Sequence, residues 1–172
     1  MRDPLPDAEH RAPLSRRVRV IACGNAAAGD DAAGLLGVRL AAPRLAALPG
    51  LDVVEAGAPI NAAHLFADVD AAIVVDAVRT SDGRRAPGEL VRVEVSTDGR
   101  LGDVGSSLSS HGFGIGQAIG LAAALDDLPS VVVLGIEAGD TTGGAPPSPP
   151  VRASLDALAD LIVTEAERLS AP

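Results

Sequence analysis

A chain of 172 residues is long enough to close one hydrophobic core without disulfides or a structural metal, and a single domain is the expectation. Its net charge of −9, with every basic residue an arginine, speaks against nucleic acid or an anionic membrane as partner, since both need a basic face. One cysteine, Cys23, allows neither a disulfide framework nor a cysteine-built zinc site, and no apolar run approaches membrane-spanning length.

Residues 1–15 are polar and proline-containing and read as a disordered leader rather than a signal peptide, which places the protein in the cytoplasm. The remaining chain, 16–172, reads as one α/β domain. A first strand is predicted over 17–23 and a helix over 31–46, ending before Pro49-Gly50. Residues 51–55 read as a second strand and 61–67 as a short helix. The continuous apolar run 71–75 ends at Asp76 and reads as a central parallel strand buried on both faces. Residues 88–95 alternate apolar with charged side chains, which suits a strand near a sheet edge. An Ala/Gly/Leu-rich helix follows over 112–125, then a buried strand over 131–136. A Gly/Pro-rich loop, 143–150, leads into an amphipathic helix over 151–169. Strands alternating with helices predict a three-layer α/β/α sandwich on a mostly parallel, twisted sheet, of the kind found in phosphorylase- and hydrolase-like enzymes. In such sheets ligands bind outside the carboxyl ends of the strands.

The turn after the first strand is the most informative stretch. Gly24-x-x-x-x-Gly29 nearly spells a phosphate-cradling loop, but the Lys and Ser/Thr of a true one are replaced by Asp30 and Asp31. Two carboxylates repel a polyphosphate and attract a cation. One aspartate suffices to cap the following helix, a reading open to either Asp30 or Asp31, and metal or polar-substrate binding is expected of one of the two; with Asp31 placed at the site below, the cap is expected of Asp30. Asp76 at the end of the third strand and His111 in Ser109-Ser110-His111-Gly112 fall at the same end of the predicted sheet. Together they form an open O,O,N set suited to nickel, zinc or iron, with coordination positions left for substrate or water. Each has a plain alternative: Asp76 as a strand-ending hydrogen-bond acceptor, His111 as a helix-start residue. His10 is assigned to solvent, His64 to packing or surface, and Cys23 to the core. Other classes remain open on the residues alone: a nucleotide- or small-ligand-binding α/β module, or a nucleoside phosphorylase-like enzyme. Neither a nucleophile elbow of the Gly-x-Ser-x-Gly type nor a zinc-protease His-Glu-x-x-His motif is present.

With these motifs in order, the chain resembles the hydrogenase maturation endopeptidases. The resemblance rests on Gly24-Asn25-x-x-x-Gly29-Asp30-Asp31-x-x-Gly34, Val74-Val75-Asp76-Ala77, Ser109-Ser110-His111-Gly112 and Val133-Leu134-Gly135-Ile136-Glu137, and spans about residues 17–170. Ala26 stands where the family usually has Pro, and Ala32 where it usually has Gly. The segment Ala56-Gly57-Ala58-Pro59 matches only loosely, and the 143–150 loop is atypical. The resemblance implies a peptidase that trims the C-terminal extension from the large-subunit precursor of a nickel–iron hydrogenase after nickel insertion. It also implies that Asp31, Asp76 and His111 contact that nickel, which is carried by the precursor rather than held by the free enzyme. Either the ion activates the peptide or water, or Asp31 or Asp76 acts as general base in the manner of an aspartyl protease. A monomer is expected.

Overall fold

The computed structural model describes residues 16–57, 62–80, 83–96, 99, 115–125 and 128–171. Among these residues five strands form one sheet: β1 (Val18–Cys23), β2 (Leu51–Gly57), β3 (Ala71–Val78), β4 (Leu90–Glu94) and β5 (Ser130–Glu137). Their order across the sheet is β2-β1-β3-β5-β4. All neighbours pair in parallel except β4, which runs antiparallel to β5 at the edge. The sheet is therefore mostly parallel, as the alternation of elements predicts.

Among the described residues three α-helices flank it: α1 (Ala33–Leu45), α2 (Ile115–Ala124) and α3 (Pro149–Ser170). Strand residues alternate faces, so each strand feeds two cores. Val18, Val20 and Ala22 of β1, with Ile73 and Val75 of β3 and Leu134 and Ile136 of β5, pack under α1 and α3 against Val38, Leu158 and Ile162. Ile21, Cys23, Val74, Val78, Val131 and Val133 point the other way, toward Ala118, Ile119 and Ala122 of α2 and toward Phe66. β1 and β3 are buried almost throughout, which is why 20–23 and 71–75 are unbroken apolar runs instead of alternating ones, with Arg19 and Asp76 the polar exceptions. Among the described residues no helix is long and apolar enough to cross a membrane.

Most elements begin or end within two residues of the sequence expectation, β2 running on to Gly57, and three further differences stand out. The first helix begins later, because Gly29–Ala32 forms a separate 3-10 turn ahead of α1. Residues 62–66 are also 3-10 rather than α-helical. β3 does not stop at Asp76: Ala77 and Val78 continue it by pairing with Ile136 and Glu137 of β5. Asp76 is thus inside a strand, opposite Gly135, and its side chain shares a face with Val74 and Val78.

Helix α3 is locked to the edge strand by charge. The buried Glu165 carboxylate takes Arg92 of β4 and Arg168 one turn further along α3, at 2.9 and 2.7 Å. Burial pushes its pKa up, but the two guanidinium groups outweigh that and hold it below its usual range.

Candidate active site

β1 and β3 are neighbours, and from them the strand order departs in opposite directions. The crevice at their carboxyl ends is the place where a sheet of this kind binds its ligand. The chain leaves β1 at Cys23 and turns at Gly24, whose φ of +118° is open to glycine but strained for any other residue. A Cβ there would also lie 2.0 Å from the Asp31 carbonyl oxygen. The turn closes on itself through Ala28 N–H to the Asn25 carbonyl at 3.1 Å and Asp31 N–H to the Ala28 carbonyl at 3.0 Å. The Asn25 main-chain N–H donates to the Asp31 carboxylate at 2.9 Å. Helix α1 then starts across the ends of β1 and β3. A Cβ on Gly34 would come within 2.5 Å of the Cys23 carbonyl oxygen, 2.7 Å of the Val75 carbonyl oxygen and 3.1 Å of Asp76 Cα.

This packing brings Asp31 and Asp76 together. Asp76 has its pKa pushed up to about 7, first by burial and then by the negative charge of Asp31, against a weaker opposing hydrogen bond from Ala77. The Cys23 thiol is held in its neutral form by burial and by the same two carboxylates. Cys23 is buried and uncrosslinked, so its role is packing, as expected. A carboxyl group poised near neutrality beside a second carboxylate has the chemistry of an acid–base pair, or of two oxygen ligands to a divalent metal. His111, and with it the Ser109-Ser110-His111-Gly112 motif, lies outside the described residues, as does His10. His64 is exposed on the 3-10 segment before β3. Among the described residues no group of three His, Cys, Asp or Glu side chains gathers to hold a metal.

Asp30 departs from its expected role. Neither the 3-10 turn nor α1 has a side-chain cap bond at its start. Asp30 is instead fully buried, and its carboxylate accepts hydrogen bonds from Gly139 N–H (2.8 Å), Asp140 N–H (2.9 Å), Ser148 N–H (2.5 Å) and the Ser148 hydroxyl (3.0 Å). Burial would raise its pKa; those donors prevail and lower it.

Glu137 is the second feature that motif reading leaves unexplained. It is buried at the end of β5, where its Oε1 accepts from Thr80 N–H at 2.8 Å and from the Thr80 hydroxyl at 3.1 Å. Its main chain accepts from Gly88 N–H and donates to the Glu89 carbonyl, both at 2.8 Å. Both ends of the β3–β4 connection therefore fasten to one residue, and that fixes the chain leaving Asp76.

A family model described as hydrogenase maturation protease matches residues 39–165. The chain belongs to the hydrogenase maturation protease family. It is accordingly a peptidase. Solved structures agree in fold. The hydrogenase maturating endopeptidase HybD from E. coli is 19% identical, with a TM-score of 0.73 over 88% of this chain and 93% of that one. The [NiFe] hydrogenase maturation protease HycI from Thermococcus kodakarensis is 22% identical, with a TM-score of 0.67 over 89% of this protease and 94% of that chain. A hydrogenase 2 maturation peptidase from a Thaumarchaeota archaeon is 25% identical, with a TM-score of 0.64 over 87% and 97%. No curated protein sequence gives a match.

Proposed function

We propose that this protease removes the C-terminal extension of a nickel–iron hydrogenase large-subunit precursor after nickel insertion, and that Asp31, Asp76 and His111 meet the nickel ion the precursor brings. The observation that carries the reading is the convergence of Asp31 and Asp76 at the β1–β3 crevice, close enough for one charge to shift the titration of the other, in a chain of this family. Two carboxylates and an imidazole leave an ion short of ligands, so nickel is firmly held only when the precursor supplies the rest. In this reading the protease works in the cytoplasm as a monomer and holds no resident metal between turnovers. The same ion that completes the site also places the scissile peptide beside the carboxylates, which confines cleavage to a loaded precursor.

The test is cleavage of a cognate large-subunit precursor with and without prior nickel insertion. Cutting is expected only of the nickel-loaded form, and Asp31→Ala, Asp76→Ala and His111→Ala should each abolish it. Equal cutting of the nickel-free precursor would remove the ion from recognition. Asp31 and Asp76 would then act as a general acid–base pair on water.

A further inference from the structure

The acidic pair at the head of α1 divides into two roles. Successive residues of a 3-10 turn project about 120° apart, so the side chains of two neighbours diverge. Asp31 turns toward Asp76, while Asp30 turns into the segment joining β5 to α3. All four donors to Asp30 come from the two ends of that segment, Gly139 and Asp140 at its start and Ser148 at its finish. Main-chain bonds lace the same two stretches together: Asp30 N–H to the Asp140 carbonyl at 2.7 Å, Gly29 N–H to the Ala145 carbonyl at 3.1 Å, and Gly144 N–H to the Ala27 carbonyl at 2.6 Å. By contrast, the hydrogen bonds described for Asp31 itself stay inside its own turn, through Ala28 and Asn25.

We propose that Asp30 is a positioning residue of the protease: its carboxylate clasps residues 139–148, and this clasp sets the direction in which Asp31 faces Asp76. The inference rests on the peptidase reading of the Asp31–Asp76 site, but the bonds that carry it are independent of that chemistry. A carboxylate is needed, because two oxygens must together accept three main-chain N–H groups and a hydroxyl, more than a single carboxamide oxygen can take in this geometry. Without it the 139–148 segment keeps only its main-chain bonds to the turn, and the Gly139, Asp140 and Ser148 N–H groups lose the carboxylate that gathers them behind Asp31.

The experiment compares Asp30→Ala, Asp30→Asn and Ser148→Ala in the full chain, with Leu169→Ala at the far end of α3 as a control for stability alone. Two quantities are read. The first is the single-turnover rate on a nickel-loaded precursor, at a temperature where each variant is folded by circular dichroism. Asp30→Ala should lose at least about tenfold in rate with half-saturation within about twofold; Asp30→Asn should recover part of the loss, and Ser148→Ala should lose little. The second is the amide proton shift of Asn25, which reports where the Asp31 carboxylate lies. In Asp30→Ala it should move at least halfway toward its value in Asp31→Ala. A wild-type Asn25 shift in the Asp30 variants overturns the proposal, as does a Leu169→Ala variant of equal stability loss that is equally slow. If Asp30→Ala does not fold, Asp30→Asn alone carries both readings. A wild-type protein that fails to cut the precursor defeats the functional reading instead, and the Asn25 shift still decides the role of Asp30.

Discussion

Asp76→Asn should make the metal-free protein more stable above pH 7 while slowing precursor cleavage by at least about 100-fold. The two effects have one origin. Burial and the neighbouring Asp31 charge push the Asp76 carboxyl up to about 7, so the folded state holds a proton that the unfolded chain has already lost. Between about pH 4 and pH 7 the native state therefore binds more protons, and its stability falls as the pH rises through that window. Above 7 the penalty is complete; below 4 both states are protonated and it vanishes. Asparagine has no proton to lose and its oxygen still accepts from Ala77, so it escapes the penalty. The gain should approach roughly 2–4 kcal/mol at pH 8 and disappear near pH 4, as read from urea unfolding across that range. Unfolding curves that shift equally at pH 4 and pH 8 would show that the side chain's shape, not its charge, is what the fold resists.

Gly34→Ala is the second large effect, and here local and tertiary preferences oppose each other. On helix propensity alone the substitution in α1 gains about 1 kcal/mol. The added methyl, however, would meet main-chain carbonyl oxygens of both β1 and β3 at 2.5 and 2.7 Å, and neither can swing aside as a side chain can. Helix α1 must lift from the strand ends, at a cost of about 1–3 kcal/mol or more for overpacking. Because Asp31 lies just before that helix and Asp76 lies under it, cleavage should fall further than stability does. Gly37→Ala gives the contrast: its new methyl meets the Leu158 side chain at 2.6 Å, and a rotamer change relieves that. The expected result is a Tm several degrees lower and a strong loss of cleavage for Gly34→Ala, against a modest change in both for Gly37→Ala. Equal effects would mean that α1 does not bear on the carboxylate pair through its contact at Gly34.

What could be read from the sequence followed from local pattern. The continuous apolar runs marked β3 and β5 as strands buried on both faces, and the alternation of Leu90, Val91 and Val93 with charged residues marked β4 as an edge. That Asp31 and Asp76 come near each other was legible because one lies across the turn after β1 and the other toward the carboxyl end of β3, and both strand directions were legible. The errors lie where partners are far away in sequence. β3 runs past Asp76 because Ile136 and Glu137 are there to pair with it, which the segment 71–78 alone does not announce. Asp30 looked like a helix cap because caps are local. Its actual partners are 109–118 residues further on, in a loop whose Gly/Pro composition gave no sign of them. Glu137 was visible as part of a motif, but its grip on Thr80 and Gly88 was not.

The position of β5 between β3 and β4 bears on the order of assembly. As the chain leaves the ribosome, β1, β2 and β3 can pair at once, but β3 keeps an open edge beside Asp76 until residues 130–137 arrive. β4, made earlier, waits without a partner for the same strand. The turn bearing Asp31 gains its tertiary hydrogen bonds only as residues 139–148 emerge, Ser148 last. Non-local pairings of this kind form late, because the loop entropy must be spent before the contacts return it. A nascent or truncated chain ending before β5 and the segment after it thus carries both carboxylates without the frame around them. If Asp31 and Asp76 act as proposed, proteolytic competence would arrive only with the last third of the chain, and the order of synthesis would itself guard against premature cutting.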